Sequence, residues 1–111
     1  MKRALLVVAV PLIFAASAIP QRAMAAEVQI IEAFYMSETG KSCNATDKVM
    51  NMCKGTASAG TCNVKSDNSL CGSDLDPGRA KKLKMKYRCG PTGAITDFEV
   101  TEGSAYNIVC K

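Results

Sequence analysis

Six cysteines, at positions 43, 53, 62, 71, 89 and 110, constrain this 111-residue chain more than any other feature. An even number of cysteines in a small exported chain implies a disulfide framework, and spacing alone leaves fifteen pairings open. Metal binding is the competing use. Zinc sites favour cysteine pairs two to four residues apart, or histidines. Here the intervals run from 9 to 21 residues and there is no histidine. The absence of a C-x-x-C pair also disfavours a redox-active thiol pair.

That the chain is exported follows from its first residues. Lys2 and Arg3 form a basic start, Ala4 to Ala18 is apolar apart from Pro11 and Ser17, and Ala23-Met24-Ala25 fits a cleavage signal. Together these read as a secretory signal peptide over residues 1–26. The apolar run is shorter than the ~20 residues a membrane span needs, so no membrane anchor is expected. The 14 basic residues include Lys2, Arg3 and Arg22, so the exported part keeps 11 against 10 acidic. A nearly neutral domain gives no reason to expect nucleic acid. The remainder, residues 27–111, allows one domain whose thin core needs its disulfides. Three bridges at ~2 to 4 kcal/mol each rival the whole stability of an ordinary domain.

The exported part alternates strand patterns with one helical stretch. Glu27 to Met36 is rich in β-formers and Ser37 to Ser42 is a polar loop. From Thr46 the period changes: Val49, Met50 and Cys53 fall at helical spacing, and Gly55 stands where a helix would end. Thr56 to Gly60 reads as a loop, Cys62 to Lys65 as a short strand, and Asn68 to Lys81 as a turn-rich loop. Lys82 to Cys89 is the clearest strand, with Leu83, Met85, Tyr87 and Cys89 on one face, so the loop before it is expected to sit at a sheet edge. Gly90 to Gly93 turns the chain into a hairpin partner, Ala94 to Val100, and Tyr106 to Cys110 closes the domain. The expectation is an α+β domain with a small antiparallel sheet and one short helix.

Lys82, Lys84, Lys86 and Arg88 occupy the opposite face of that strand. A basic stripe can meet phosphate, but without an interleaved aromatic it reads as a solvated face that guards an edge strand. Catalysis has little to stand on. There is no histidine base, the thiols are expected to be oxidised, and no G-x-S-x-G or Ser-x-x-Lys signal occurs in the exported part. No cofactor or metal is implied. The groups around the loop suit a sugar instead. Asn68, Asp74, Asp76 and Lys81 supply donors and acceptors for hydroxyls, and Tyr35 a ring to cover an apolar sugar face.

The motifs Ile30-x-x-Ala33-x-Tyr35, Val49-x-x-x-Cys53 with Gly55, Cys62-x-Val64, Asn68-Ser69-x-x-Gly72, Asp76-Pro77-Gly78 and Lys81-x-Leu83-x-x-x-Tyr87-x-Cys89 occur in this order. Together they resemble the L-rhamnose/D-galactose-binding lectin domain of the sea-urchin-egg-lectin type, over roughly residues 28–89. By position, the family's Tyr-Gly-Arg falls on Tyr35, Met36 and Ser37. Its asparagine falls on Asn68, its turn aspartate on Asp74 or Asp76, and its Lys-Tyr-Leu on Lys81, Lys82 and Leu83. The resemblance implies the bridge Cys53–Cys62. Cys71 is then expected to reach Cys43, in place of the family's cysteine after Asp-Pro, and Cys89–Cys110 to join the late strands.

The resulting expectation is a secreted or periplasmic, non-catalytic carbohydrate-binding protein with its site at Tyr35, Asn68, Asp74, Asp76 and Lys81. The alternative is a disulfide-stapled scaffold that binds a protein partner, such as an inhibitor or envelope component, with sugar binding lost.

Overall fold

A computed structural model describes residues 25–111. The expected signal segment lies outside the described residues except for its last two. Six strands and one helix follow in the order β1 (Val28–Ser37), β2 (Ser42–Asn44), α1 (Thr46–Cys53), β3 (Thr61–Lys65), β4 (Lys81–Cys89), β5 (Thr96–Thr101) and β6 (Ala105–Val109), with 3-10 turns at Ala57–Ala59 and Asn68–Cys71. They form an antiparallel four-stranded sheet of order β2-β1-β4-β5 and an antiparallel pair β3-β6. The α+β, disulfide-stapled architecture read from the sequence is the architecture present.

β1 explains a break in its own hydrophobic pattern. Its register against β4 shifts between Ile30 and Glu32, so Ile31 is an extra residue. A bulge of this kind reverses which face later residues take. Val28 is therefore buried before it, and Ala33, Tyr35 and Ser37 after it. Met85 and Leu83 of β4, opposite Ala33 and Tyr35, complete the buried face. Val49 and Cys53, one turn apart on α1, join Val64 of β3 and Ile108 of β6 in the same core.

Each disulfide ties one element to another. Cys53–Cys62 fastens the end of α1 to β3, Cys89–Cys110 joins the end of β4 to the chain after β6, and Cys43–Cys71 holds β2 against the loop before β4. Their Cα–Cα distances of 4.9, 5.5 and 5.9 Å lie in the ordinary range. All three are the expected pairs, and no free cysteine remains.

Three expectations give way. β4 lies between β1 and β5, so its lysines guard no edge and the loop before it meets the middle of a sheet. The segment read as a polar loop up to Ser42 leads into β2, too short a strand to show alternation. Gly55 follows the helix but is not left-handed; the left-handed turn falls at Gly60, with φ 86°. A Cβ at Gly60 would lie 3.0 Å from the Ala26 carbonyl oxygen and 3.2 Å from that of Cys110, whereas at Gly55 it meets open space. Gly60→Ala is therefore expected to destabilise by at least ~1–2 kcal/mol, and Gly55→Ala to stabilise by ~0.4–1 kcal/mol by restricting the unfolded chain. Urea midpoints of the two variants check this pair of opposite signs.

Candidate functional site

The five residues singled out in the sequence come together where the ends of β1 and β4 meet the loop of residues 66–80. The Tyr35 hydroxyl donates to Asn68 Oδ1 at 3.2 Å, across 33 residues of sequence. Lys81 Nζ lies 2.8 Å from Asp74 Oδ1 and 3.7 Å from Glu102 Oε1, and donates to the Arg79 carbonyl at 3.0 Å. Asp76 accepts hydrogen bonds from the hydroxyls of Ser37, at 2.8 Å, and Thr39. Its backbone N–H donates to Asp74 Oδ1 at 3.1 Å, which closes a turn over the aspartates.

Three of the five sit differently from expectation. Asp76 is buried, its carboxylate taken up by the hydroxyls of Ser37 and Thr39, so it supports the loop rather than facing a ligand. Tyr35 is fully buried, because the bulge turns it to the core face, so its ring cannot cover a sugar. Lys81, counted in the sequence among the donors for sugar hydroxyls, has a side chain only 2% exposed. An ammonium taken out of water needs partners, and Lys81 finds hydrogen-bond acceptors in Asp74 and the Arg79 carbonyl and a longer ionic contact in Glu102. Asp74, by contrast, keeps 37% of its side chain open, and Glu102 31%. Asn68 is half-buried, and its carboxamide retains donors after accepting from Tyr35. The polar groups turned outward are therefore those of Asn68, Asp74 and Glu102, positioned from beneath by Tyr35 and Lys81.

Glu102 is the member that sequence reasoning missed. It sits in the β5–β6 turn, and only the pairing of β4 with β5, which sets Thr101 opposite Lys82, brings it beside Lys81. Ser37 and Thr39 were likewise read as loop rather than as partners of Asp76. The loop is held from other directions too. Glu38 accepts from the Ala80 N–H at 2.8 Å while its own N–H donates to the Ala80 carbonyl at 3.0 Å, and Lys48 of α1 donates to the Ser69 carbonyl at 3.3 Å.

The charges shift as this geometry dictates. Burial, then the negative charge of Glu102, pushes the Tyr35 phenol up to about 12. The hydrogen bond from Lys81 holds the Asp74 carboxyl below the usual carboxylate range, and the hydroxyls of Thr39 and Ser37 do the same for Asp76. Hydrogen bonding to Asp74 raises the Lys81 ammonium.

A separate groove of about 490 Å³ lies on the outer face of the four-stranded sheet. Phe34 and Met36 of β1 supply its apolar surface, and Glu32, Lys84, Lys86, Asp97 and Glu99 surround them. The basic stripe is offset here. Lys82 and Lys84 converge on Glu99 at 3.1 and 3.6 Å, and the register sets Lys86 between Glu32 and Asp97. Comparison with family models, with curated proteins and with solved structures finds no match.

The carboxyl pKa values of Asp74 and Asp76 fall on folding, so the stability they contribute is complete above the unfolded value of ~4 and is lost as pH drops through the folded values. Amides of residues 67–80 are expected to lose hydrogen-exchange protection below about pH 4, before the core strands, and Asp74→Asn to weaken that dependence. Lys81→Met is expected to lower the thermal midpoint and loosen the same amides with all three disulfides retained. For the stripe, duplex DNA is expected to bind only weakly and to be released as salt approaches physiological strength; sub-micromolar binding at that salt, abolished by replacing Lys82, Lys84 and Lys86, would contradict it.

Proposed function

We propose that this is an exported, non-catalytic carbohydrate-binding domain whose site is the outward edge of the loop cluster. The observation that carries the reading is the convergence of Tyr35, Asn68, Asp74, Asp76 and Lys81 from distant parts of the chain at one end of the sheet. A neutral sugar needs acceptors and donors at fixed spacing. Asn68 offers amide donors, and Asp74 and Glu102 offer carboxylate acceptors. The buried Tyr35–Asn68 and Lys81–Asp74 contacts hold these groups in place before a ligand arrives, which lowers the ordering cost of binding. Three disulfides fit an oxidising compartment, hence secretion or a periplasm. Among the described residues no helix is long and apolar enough to cross a membrane.

Chemistry supports binding rather than turnover. Every cysteine is in a bridge, and the carboxylates nearest each other are held ionised by Lys81 and by hydroxyls rather than poised to exchange a proton.

A shallow site whose hydrogen bonds replace bonds to water gives an expected affinity of roughly 0.1–10 mM. NMR titration with rhamnose, galactose and related sugars at millimolar concentration is the test. Shifts are expected at Asn68, Asp74 and Glu102, with Asp74→Ala, Asn68→Ala and Glu102→Gln each weakening binding severalfold while the core resonances stay in place. If no sugar perturbs this loop, the lectin reading fails and a protein-binding scaffold becomes the better account.

A further inference from the structure

β5 is the longest strand with an open side. It pairs with β4 over six consecutive residues without a bulge, and among the described residues no strand lies on its other side. Among the described residues, no backbone group from Thr96 to Val100 makes a backbone hydrogen bond outside the β4 ladder. Unpaired edges are templates for another strand, and proteins usually blunt them with proline, bulges, short length or lysine. β5 has no proline, lysine or bulge.

Its two faces are chemically distinct. Asp97 and Glu99 lie on the outer face, opposite Lys86 and Lys84, and form one wall of the Phe34–Met36 groove. Glu99 is engaged by Lys82 and Lys84, while Asp97 makes no ion pair with a described residue. Phe98, on the other face, stacks on Tyr106 of β6 with ring centres 4.1 Å apart, and Tyr106 is 39% exposed. A strand added beside β5 would set alternate side chains against carboxylates on one face and aromatic rings on the other.

We propose that the open edge of β5 is a docking site for an extended segment of a protein partner that alternates basic and apolar residues. A second copy of this chain fits poorly. With faces matched, β5 against β5 sets acid opposite acid; with faces reversed, it sets acid opposite Phe98 and Val100. Like charges directly opposite in a ladder are destabilising, and so is a carboxylate set among apolar side chains. The acidic face therefore disfavours self-pairing and favours a cationic strand. Main-chain bonds supply the affinity and the alternation supplies the selectivity.

The experiment is an amide-resolved NMR titration of the exported, oxidised chain with the blocked peptide Lys-Val-Lys-Val-Lys. Shifts are expected along Thr96–Thr101 and at Tyr106, with slower hydrogen exchange of the outward β5 amides. The same peptide N-methylated at every residue keeps its charge and loses its ladder, so it is expected to bind about tenfold weaker, the loss of one or two net hydrogen bonds. Replacing Asp97→Lys and Glu99→Lys together is expected to reverse the preference toward Glu-Val-Glu-Val-Glu, with the disulfides and remaining spectrum unchanged. Equal binding of the N-methylated peptide, shifts confined to residues 67–81, dimerisation through β5, or no binding at millimolar peptide would each overturn the proposal. Sugar titration of the loop reads out separately, so failure at one surface is distinguishable from failure at the other.

Discussion

Covalent cross-linking between elements is the constraint on which this fold depends. The buried apolar residues come in small groups from two sheets and one eight-residue helix, and a helix that short does not hold its shape alone. Cys53–Cys62 supplies the missing anchor at its end, and Cys89–Cys110 ties the β3-β6 pair to the larger sheet. Cys43–Cys71 closes the longest of the three loops, 28 residues. On the chain-entropy account a bridge of that span stabilises by more than ~3 kcal/mol. It also has a local effect, since it joins a three-residue edge strand to the loop that carries the polar cluster.

Within that cross-linked frame, Lys81 decides how the loop is arranged. Removing an ammonium from water is unfavourable unless oxygens surround it, so the chain can bury Lys81 only where Asp74, Glu102 and the Arg79 carbonyl meet. That requirement adds to the backbone bonds between Ser66 and Gly103 and Ser104, which already join the loop to the β5–β6 turn. The ion cluster thereby selects one arrangement of polar groups at the surface. This selection bears on recognition more than on stability, because Asp74 and Glu102 remain partly hydrated.

Regular elements were largely legible in the sequence because alternation and helical spacing report burial directly. β4, β5 and α1 were found this way, and the cysteine pairs followed from the resemblance together with the order of those elements. What alternation cannot report is a change of face within a strand. The bulge at Ile31 moved Tyr35 from the expected surface into the core. Nor does local pattern report contacts made across the sheet: Glu102 reads as an ordinary turn residue until the β4–β5 register places it beside Lys81. The lysine itself looked exposed because lysines usually are; its burial depends on partners 7 and 21 residues away in sequence.

The charge pattern on the outer face shows why a stripe of like residues is a poor guide when read from one strand. Lys82, Lys84, Lys86 and Arg88 form a basic row along β4, but a sheet is read across its strands as well as along them. Across the sheet, the row Glu32–Lys86–Asp97 alternates in sign, Glu99 takes both Lys82 and Lys84, and Arg88 donates to Gln29 at 2.8 Å. A polyanion would have to displace these neighbours from each lysine, so little of the counterion-release drive that the sequence suggests is left. The same lateral reading singles out Asp97 on β5, which makes no ion pair and is covered by no strand among the described residues although Lys86 stands opposite it in the ladder.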